Sequence, residues 1–409
     1  MSVTHSFHKR FQSGLSLVEL LIVVAIIGIL GTAAAIAINP VELLKQARDG
    51  RRIADLQAID RALGMYKQDG KSAFGDANTV YVSLVDTASS ACASHNLPSL
   101  PSGWSYRCVT SEDALRKNDG TGWIPVDFTS ISTGSSIPTL PVDPTNNASS
   151  GFYYAYVTGG GRWVLASLLE SAKYLKDKAA TDGGTDDGRL EIGSKLSLWS
   201  QASGLVGYWK FDEGTGTTAR DYSGNNNNGT LVNGPTWTTG KVGGALSFDG
   251  VDDYVSVSDS NSLDIANAIT IEAWVFWPVS AVKEMIVKNN NANNAPGAYE
   301  LFQNTNKVSF RLLKGGVMTT LTSNTSLSLN VWHHILGIWN GSSMRIFIDG
   351  VGDSNTLSLT APIDITAGKL TIGAYADSRY PLNGLIDEVR IYNRPLSDAE
   401  IKAIYDATK

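Results

Sequence analysis

From Leu15 to Ile38 the chain is apolar almost without a break. At ~1.5 Å of rise per residue, a helix over that stretch spans roughly 36 Å, enough to cross a bilayer. Lys9 and Arg10 precede it, and basic residues ahead of an apolar span hold that end in the cytoplasm. Asn39-Pro40-Val41-Glu42 then offers an N-cap, a first-turn proline and a carboxylate for the positive helix end, so a break or kink leads into a second helical length. Ile53, Leu56, Ile59, Leu63 and Tyr66 recur at steps of three and four, which predicts an amphipathic helix ending near Asp69-Gly70. Residues 71–150 are irregular apart from the apolar run Val80 to Val85. Phe152 to Thr158 and Arg162 to Leu169, around Gly159-Gly160-Gly161, predict a hairpin, and Glu170 to Ala180 a short helix.

From Leu205 the period changes to two. Ile269, Ile271, Ala273 and Val275 alternate with Thr270, Glu272, Trp274 and Phe276, and Val308, Phe310 and Leu312 behave alike, as do Met344, Ile346 and Ile348. Short alternating strands between Gly- and Asn-rich turns predict a β-sandwich or jelly roll.

Composition changes this picture in three places. A length of 409 residues sets two to three domains as the expectation, and a net charge of -6 implies no general affinity for nucleic acid. Cys92 and Cys108 are the 2 cysteines; in an exported chain a pair suggests a disulfide, worth roughly 3 kcal/mol for a loop of about 15 residues, against two free thiols. Glu19 lies within the apolar span, where a carboxylate costs on the order of 2–3 kcal/mol without a partner. Cutting after Gly14 would create such a partner, the amine of Leu15, in its own or a neighbouring chain.

Those residues resemble a family. Gly14 followed by Leu17-Val18-Glu19-Leu20-Leu21 and a long apolar tail is similar to the class III signal of type IV pilins and type II secretion pseudopilins. The resemblance implies a prepilin peptidase that cuts after Gly14 and methylates Leu15, with Glu19 as the docking carboxylate. Leu15 stands where Phe is commoner, and Ile36 where many pilins place a kinking proline. Leu140-Pro141-Val142-Asp143-Pro144 resembles the Leu-Pro-x-Asp-Pro turn of major pseudopilins and related pilins, just before their terminal strands.

The second half resembles another family. Gly207-Tyr208-Trp209, Asp221-Tyr222-Ser223-Gly224, Phe248-Asp249-Gly250-Val251-Asp252-Asp253-Tyr254, Trp332-His333-His334, Ile348-Asp349-Gly350 and Gly384-Leu385-Ile386-Asp387-Glu388-Val389-Arg390-Ile391-Tyr392-Asn393-Arg394 follow in the order of laminin G-like, concanavalin A-like lectin/glucanase domains. Such modules mostly bind glycans or proteins, often with Ca²⁺.

Candidate chemistry follows from both halves. Asp221, Asp253 and Asp387 are candidate Ca²⁺ ligands, since hard oxygens from separated loops suit that ion, against turn capping by the same side chains. The acidic loop Asp182, Asp186, Asp187 is open to the same two readings, cation loop or solvated loop. Arg48, Arg51 and Arg52 suit a membrane surface, subunit contacts or a solvated helix face. Tyr299, Tyr375 and Tyr380, on the rim loops Lys288 to Tyr299 and Tyr375 to Tyr380, are the candidate ligand-binding residues. Glycoside hydrolysis needs two carboxylates flanking the bond. No Glu-x-Asp-x-x-Glu strand occurs, Glu272 stands alone on its strand, and adjacent His333 and His334 point to opposite faces. No enzyme activity is expected.

The sequence therefore reads as an α+β pilin head with a long N-terminal α-helix, followed by an all-β concanavalin A-like jelly-roll sandwich. Its parts are a leader over 1–14, the membrane-spanning and amphipathic helix over 15–70, a head over 71–193, a linker over 194–203 and the sandwich over 204–409. The expected place is the cytoplasmic membrane, single-pass with the N-terminus in the cytoplasm, and after processing an extracellular filament or the cell surface. Expected partners are prepilin peptidase, other pilin subunits, membrane lipid before assembly, and a surface glycan or glycoprotein; nucleic acid is not. The expected task is adhesion or surface recognition. The alternatives are a pseudopilin of a secretion or DNA-uptake machine and a non-assembling, membrane-anchored glycan-binding protein.

Overall fold

The computed structural model describes residues 17–26, 39–101, 103–186, 188–289 and 297–409. Residues 17–26 are helical. A long helix then runs Pro40–Gln68, opened by Asn39, whose side chain accepts from the Glu42 amide at 3.3 Å, and stopped at Asp69, with Gly70 at φ +75°. Leu56, Ile59, Leu63 and Tyr66 form its buried stripe, as their spacing requires.

The head is a five-stranded sheet ordered Ser105–Val109, Thr79–Val85, Ala155–Gly159, Arg162–Leu168, Arg189–Gly193. The predicted hairpin is its centre. Ser105–Val109 pairs in parallel with Thr79–Val85, an arrangement that no local pattern announces. Cys92 and Cys108 form a disulfide with Cα atoms 5.3 Å apart, tying the preceding loop to that edge strand. One face of the sheet packs on the long helix through Tyr154, Tyr156, Trp163 and Leu165. The other face is covered by the helix Ser197–Ser203, whose Leu198, Trp199 and Ala202 bury against Val80, Val82, Val157 and Val164. Where a linker is expected over 194–203, the chain thus supplies the second layer of the head. Leu198, Trp199 and Ala202 lie on one helical face, and burying them is what orders the segment.

The second half has two eight-stranded sheets. The first runs Val351–Ser358, Ser343–Ile348, Trp332–Trp339, Ile269–Phe276, Asn383–Tyr392, Gly244–Asp249, Thr236–Thr239, with Leu205–Trp209 also paired to Asn383–Tyr392. The second runs Val317–Thr322, Lys307–Lys314, Tyr299–Thr305, Ala281–Lys288, Leu370–Ile372, Tyr254–Val257, Gly229–Val232, Thr218–Ala219. Ile269, Ile271, Ala273 and Val275 face Val308, Phe310 and Leu312 in the core between them, as the alternation predicts.

A C-terminal helix, Asp398–Thr408, closes the outer face of the first sheet. Ile401 and Ile404 bury against Leu336, Ile338 and Phe347, and Tyr405 stacks on Trp274. The same helix reaches the head: Ala407 joins the head's core, and a Cβ added at Gly188 would lie 2.8 Å from that of Ala403. Arg394 clasps this seam. Its guanidinium donates to the Ser203 carbonyl and to both Glu400 oxygens, at 3.1 and 2.8 Å. Burial alone would raise the Glu400 carboxyl, but the Arg394 charge outweighs it and holds Glu400 at about 2. The two halves therefore meet across a buried contact, in which an ion pair of the second half hydrogen-bonds to the Ser203 carbonyl of the first.

Candidate functional site

At the N-terminal end, Gly14 and Leu15 lie outside the described residues. Glu19 sits in the helical stretch 17–26, whose Leu17, Val18, Leu20, Leu21, Ile22, Val23, Val24 and Ile26 are between 45% and 76% exposed. An apolar helix exposed on every side calls for lipid or partner helices around it. Among the described residues no helix is long and apolar enough to cross a membrane.

Of the three arginines, only two lie at the surface. Arg51 pairs with Asp55 at 3.7 Å, one helical turn on, and Arg48 with Glu170. Arg52 is fully buried. Its guanidinium grips Asp143 with two hydrogen bonds, at 2.6 and 2.9 Å, and donates to Asp49 at 2.8 Å and Glu170 at 2.6 Å. Asp143 belongs to the Leu140 to Pro144 turn. The ion cluster thus fastens that turn and the end of the hairpin to the long helix, a role that neither a membrane surface nor a solvated face describes.

The acidic loop is built around a residue missed in the sequence. Glu191, buried on the edge strand, accepts from the amides of Thr185 and Asp186 at 3.0 and 2.9 Å, and Asp182 accepts from the Glu191 amide at 2.6 Å. Burial, then the charges of Asp182 and Asp186, push the Glu191 carboxyl well above its ordinary value. Its Oε2 and the Thr185 hydroxyl, both buried, have no hydrogen-bond partner among the described residues. Only a lone acid between Leu190 and Ile192 could have signalled it. Asp187 lies outside the described residues.

In the sandwich, the three candidate aspartates go to different places. Asp221 spends both oxygens on its own turn, accepting from the amides of Tyr208, Ser223 and Asn227 and from the Ser223 hydroxyl, so it caps rather than chelates. Asp387 is in the interior of a strand, not in a turn. Its Oδ2 accepts from the Lys241 and Val242 amides at 2.9 and 2.8 Å, and burial followed by the Glu388 charge pushes its carboxyl up to about 8. Among the described residues, Asp253 is the one of the three that belongs to a cluster of carboxylates close enough to share an ion: one oxygen from each of Asp249, Asp252 and Asp253 lies within 4.8 Å of the others. That donor set is all carboxylate oxygen and fits a hard divalent cation.

The three tyrosines also separate. Tyr299 is in the core, its hydroxyl donating to the Leu263 carbonyl at 3.0 Å, so no ring face is left for a ligand. Tyr375 is largely buried beneath Arg379, which lies 4.6 Å above its ring, and its hydroxyl is bonded to Glu300. Tyr380 is half exposed, its ring 6.3 Å from that of Tyr375. It is the one of the three that offers a surface to a sugar.

Glu272 is fully buried and pairs with His334 at 3.3 Å and with Arg390 at 3.4 Å, while His333 turns the other way to Asp349 at 2.7 Å. The Glu272 cluster lies beneath the C-terminal helix, where no glycosidic bond could reach it.

Comparison with known proteins agrees with this division. Residues 9–35 match the family described as prokaryotic N-terminal methylation motif, and residues 249–402 match the concanavalin A-like lectin/glucanases superfamily. The chain thus joins a pilin-type processing signal, the mark of a membrane-anchored precursor, to a lectin-like β-sandwich. No curated protein matches it. Similar solved structures include the binding domain of Paraclostridial Mosquitocidal Protein 1, at 18% identity over 49% of this chain and 52% of that one, with a TM-score of 0.40. Domain 4 of AbnA, an extracellular arabinanase from Geobacillus stearothermophilus solved with arabinotriose, is 19% identical over 50% of this chain and 98% of that one, at 0.39. The botulinum neurotoxin serotype G binding domain is 14% identical over 49% and 50%, at 0.40. The chain spans about half the length of the two toxin domains.

Proposed function

We propose that this chain is a pilin-like subunit, cut by prepilin peptidase after Gly14, methylated on Leu15 and assembled into a type IV filament that carries the sandwich outward for adhesion or surface recognition. The observation that carries this reading is the seam. A helical stretch covered in exposed apolar side chains precedes a head that shares buried contacts with the lectin-like half, so that a load on the sandwich would pass directly to the head. The ligand is a surface glycan or glycoprotein, which the chain binds and does not hydrolyse. A second reading, a pseudopilin of a secretion or DNA-uptake machine, draws support from the Leu140 to Pro144 turn and its anchorage on Arg52.

The full chain in detergent, applied to an array of surface polysaccharides and glycoproteins, tests the binding reading. Retention of at least one glycan without release of reducing sugar is expected, and Tyr380→Ala should weaken it roughly tenfold, about 1.4 kcal/mol. An array without signal, or release of sugar, counts against it.

Calcium is proposed at Asp249, Asp252 and Asp253, where the ion would offset two of three neighbouring carboxylate charges and fix the turn between two strands. Added Ca²⁺ should raise the melting temperature by mass action, and Asp252→Asn should reduce the gain. A melting curve unmoved by Ca²⁺ or by chelator removes this proposal and leaves glycan binding standing.

A further inference from the structure

The second sheet ends at one corner on a buried cation. Lys288, the last residue of its strand, has no exposed surface. Its ammonium donates to Asp259, to the Thr366 carbonyl at 2.9 Å and to the Gly368 carbonyl at 2.8 Å, and a second carboxylate, Asp264, lies at 3.2 Å. These oxygens come from two separate segments, 259–264 and 366–368. The next residue continues the same work. Asn289 donates to the Lys369 carbonyl and the Thr371 hydroxyl at 3.0 and 2.8 Å, and its own carbonyl accepts from the Thr366 hydroxyl at 2.6 Å.

A buried ammonium is costly unless every proton is bonded and its charge is matched. Here all three donors are used, and two carboxylates supply more than the matching charge. The surrounding atoms are two carboxylates and two main-chain carbonyls, hard oxygens of the type that Ca²⁺ gathers from separated loops. A lysine head is a compact point charge on a flexible stem, so it can stand at the centre of such a cage as an ion would.

We infer that the Lys288 ammonium is a built-in structural cation, filling a cage that would otherwise take a divalent metal. It is attached to the chain, so this corner of the rim is held together without a free ion and is indifferent to chelators. The inference concerns the sandwich alone and holds whatever the sandwich binds.

Removing the ammonium while keeping the cage tests it. Lys288→Met retains the apolar stem and leaves Asp259, Asp264 and both carbonyls facing one another. The full-length variant in detergent should bind one more Ca²⁺ per chain than the unmodified protein in equilibrium dialysis. Its melting temperature, lowered in chelator, should recover with millimolar Ca²⁺ by more than the unmodified protein gains. Adding Asp264→Asn to Lys288→Met should remove the extra ion. If Lys288→Met is recovered folded only when prepared with CaCl₂, that dependence is itself the expected result. Equal Ca²⁺ binding by the variant and the unmodified chain overturns the inference, as does a variant that no divalent ion restores. So does an unmodified chain lighter than its sequence by one water with Lys288 in a cross-link, since its amine would then be an amide.

Discussion

Arg52→Ala should destabilise the head by about 3–5 kcal/mol, because it leaves the buried carboxylates Asp49 and Asp143 without a counter-charge and Glu170 with Arg48 alone. The loss is of a partner, not of a hydrophobic surface, so Arg52→Met should be nearly as damaging as Arg52→Ala. Arg51→Ala, one residue away and paired only at the surface, should change stability by less than about 0.5 kcal/mol. Hydrogen exchange of the strands Thr79–Val85 and Arg162–Leu168 in the full chain reads the difference locally. Similar protection in Arg51→Ala and Arg52→Ala would mean that the ion cluster does not fasten the turn.

The second large effect is expected at Glu19. Glu19→Ala removes a cost on the order of 2–3 kcal/mol for holding a carboxylate in lipid, so insertion of the chain should be unchanged or improved. Filament yield should fall by roughly a hundredfold or more, since losing one member of a buried charge pair costs about 3–5 kcal/mol and each ~1.4 kcal/mol is tenfold. Comparing sheared surface material with the membrane fraction separates the two. Undiminished filaments in Glu19→Ala would remove the docking role.

How much was legible follows the range of each interaction. The long helix was readable because Leu56, Ile59, Leu63 and Tyr66 carry its period within the helix itself, and the hairpin because its turn lies in three consecutive glycines. The sandwich was readable from alternation, and the apolar residues that the alternation named lie in its core. The strand Ser105–Val109 was not readable, since its pairing is parallel and depends on a neighbour far away in sequence. Nor was the helix Ser197–Ser203, because its serines break the apolar pattern although Ser200 and Ser203 are buried along with Leu198, Trp199 and Ala202.

At the candidate sites the limit is the same. Arg52 looks like its neighbours Arg48 and Arg51 until the hairpin brings Asp143 and Glu170 to it. Tyr299 and Tyr380 are both rim tyrosines in sequence, but only the pleat decides that one points into the core. Asp221, Asp253 and Asp387 share a residue type and a motif context. The hydrogen bonds that each already makes separate a turn cap, a member of an acidic cluster and a buried strand carboxyl. The C-terminal helix carries the clearest case, since Glu400 and Ala407 belong by sequence to the sandwich yet complete the seam with the head.

The central claim is that this chain is processed and assembled as a pilin-type subunit. The most direct measurement is mass spectrometry of the N-terminal peptide from the chain sheared off the cell surface. The account predicts a peptide beginning at Leu15 and carrying one methyl group on its amine. A surface chain that begins at Met1 or Ser2 would contradict it.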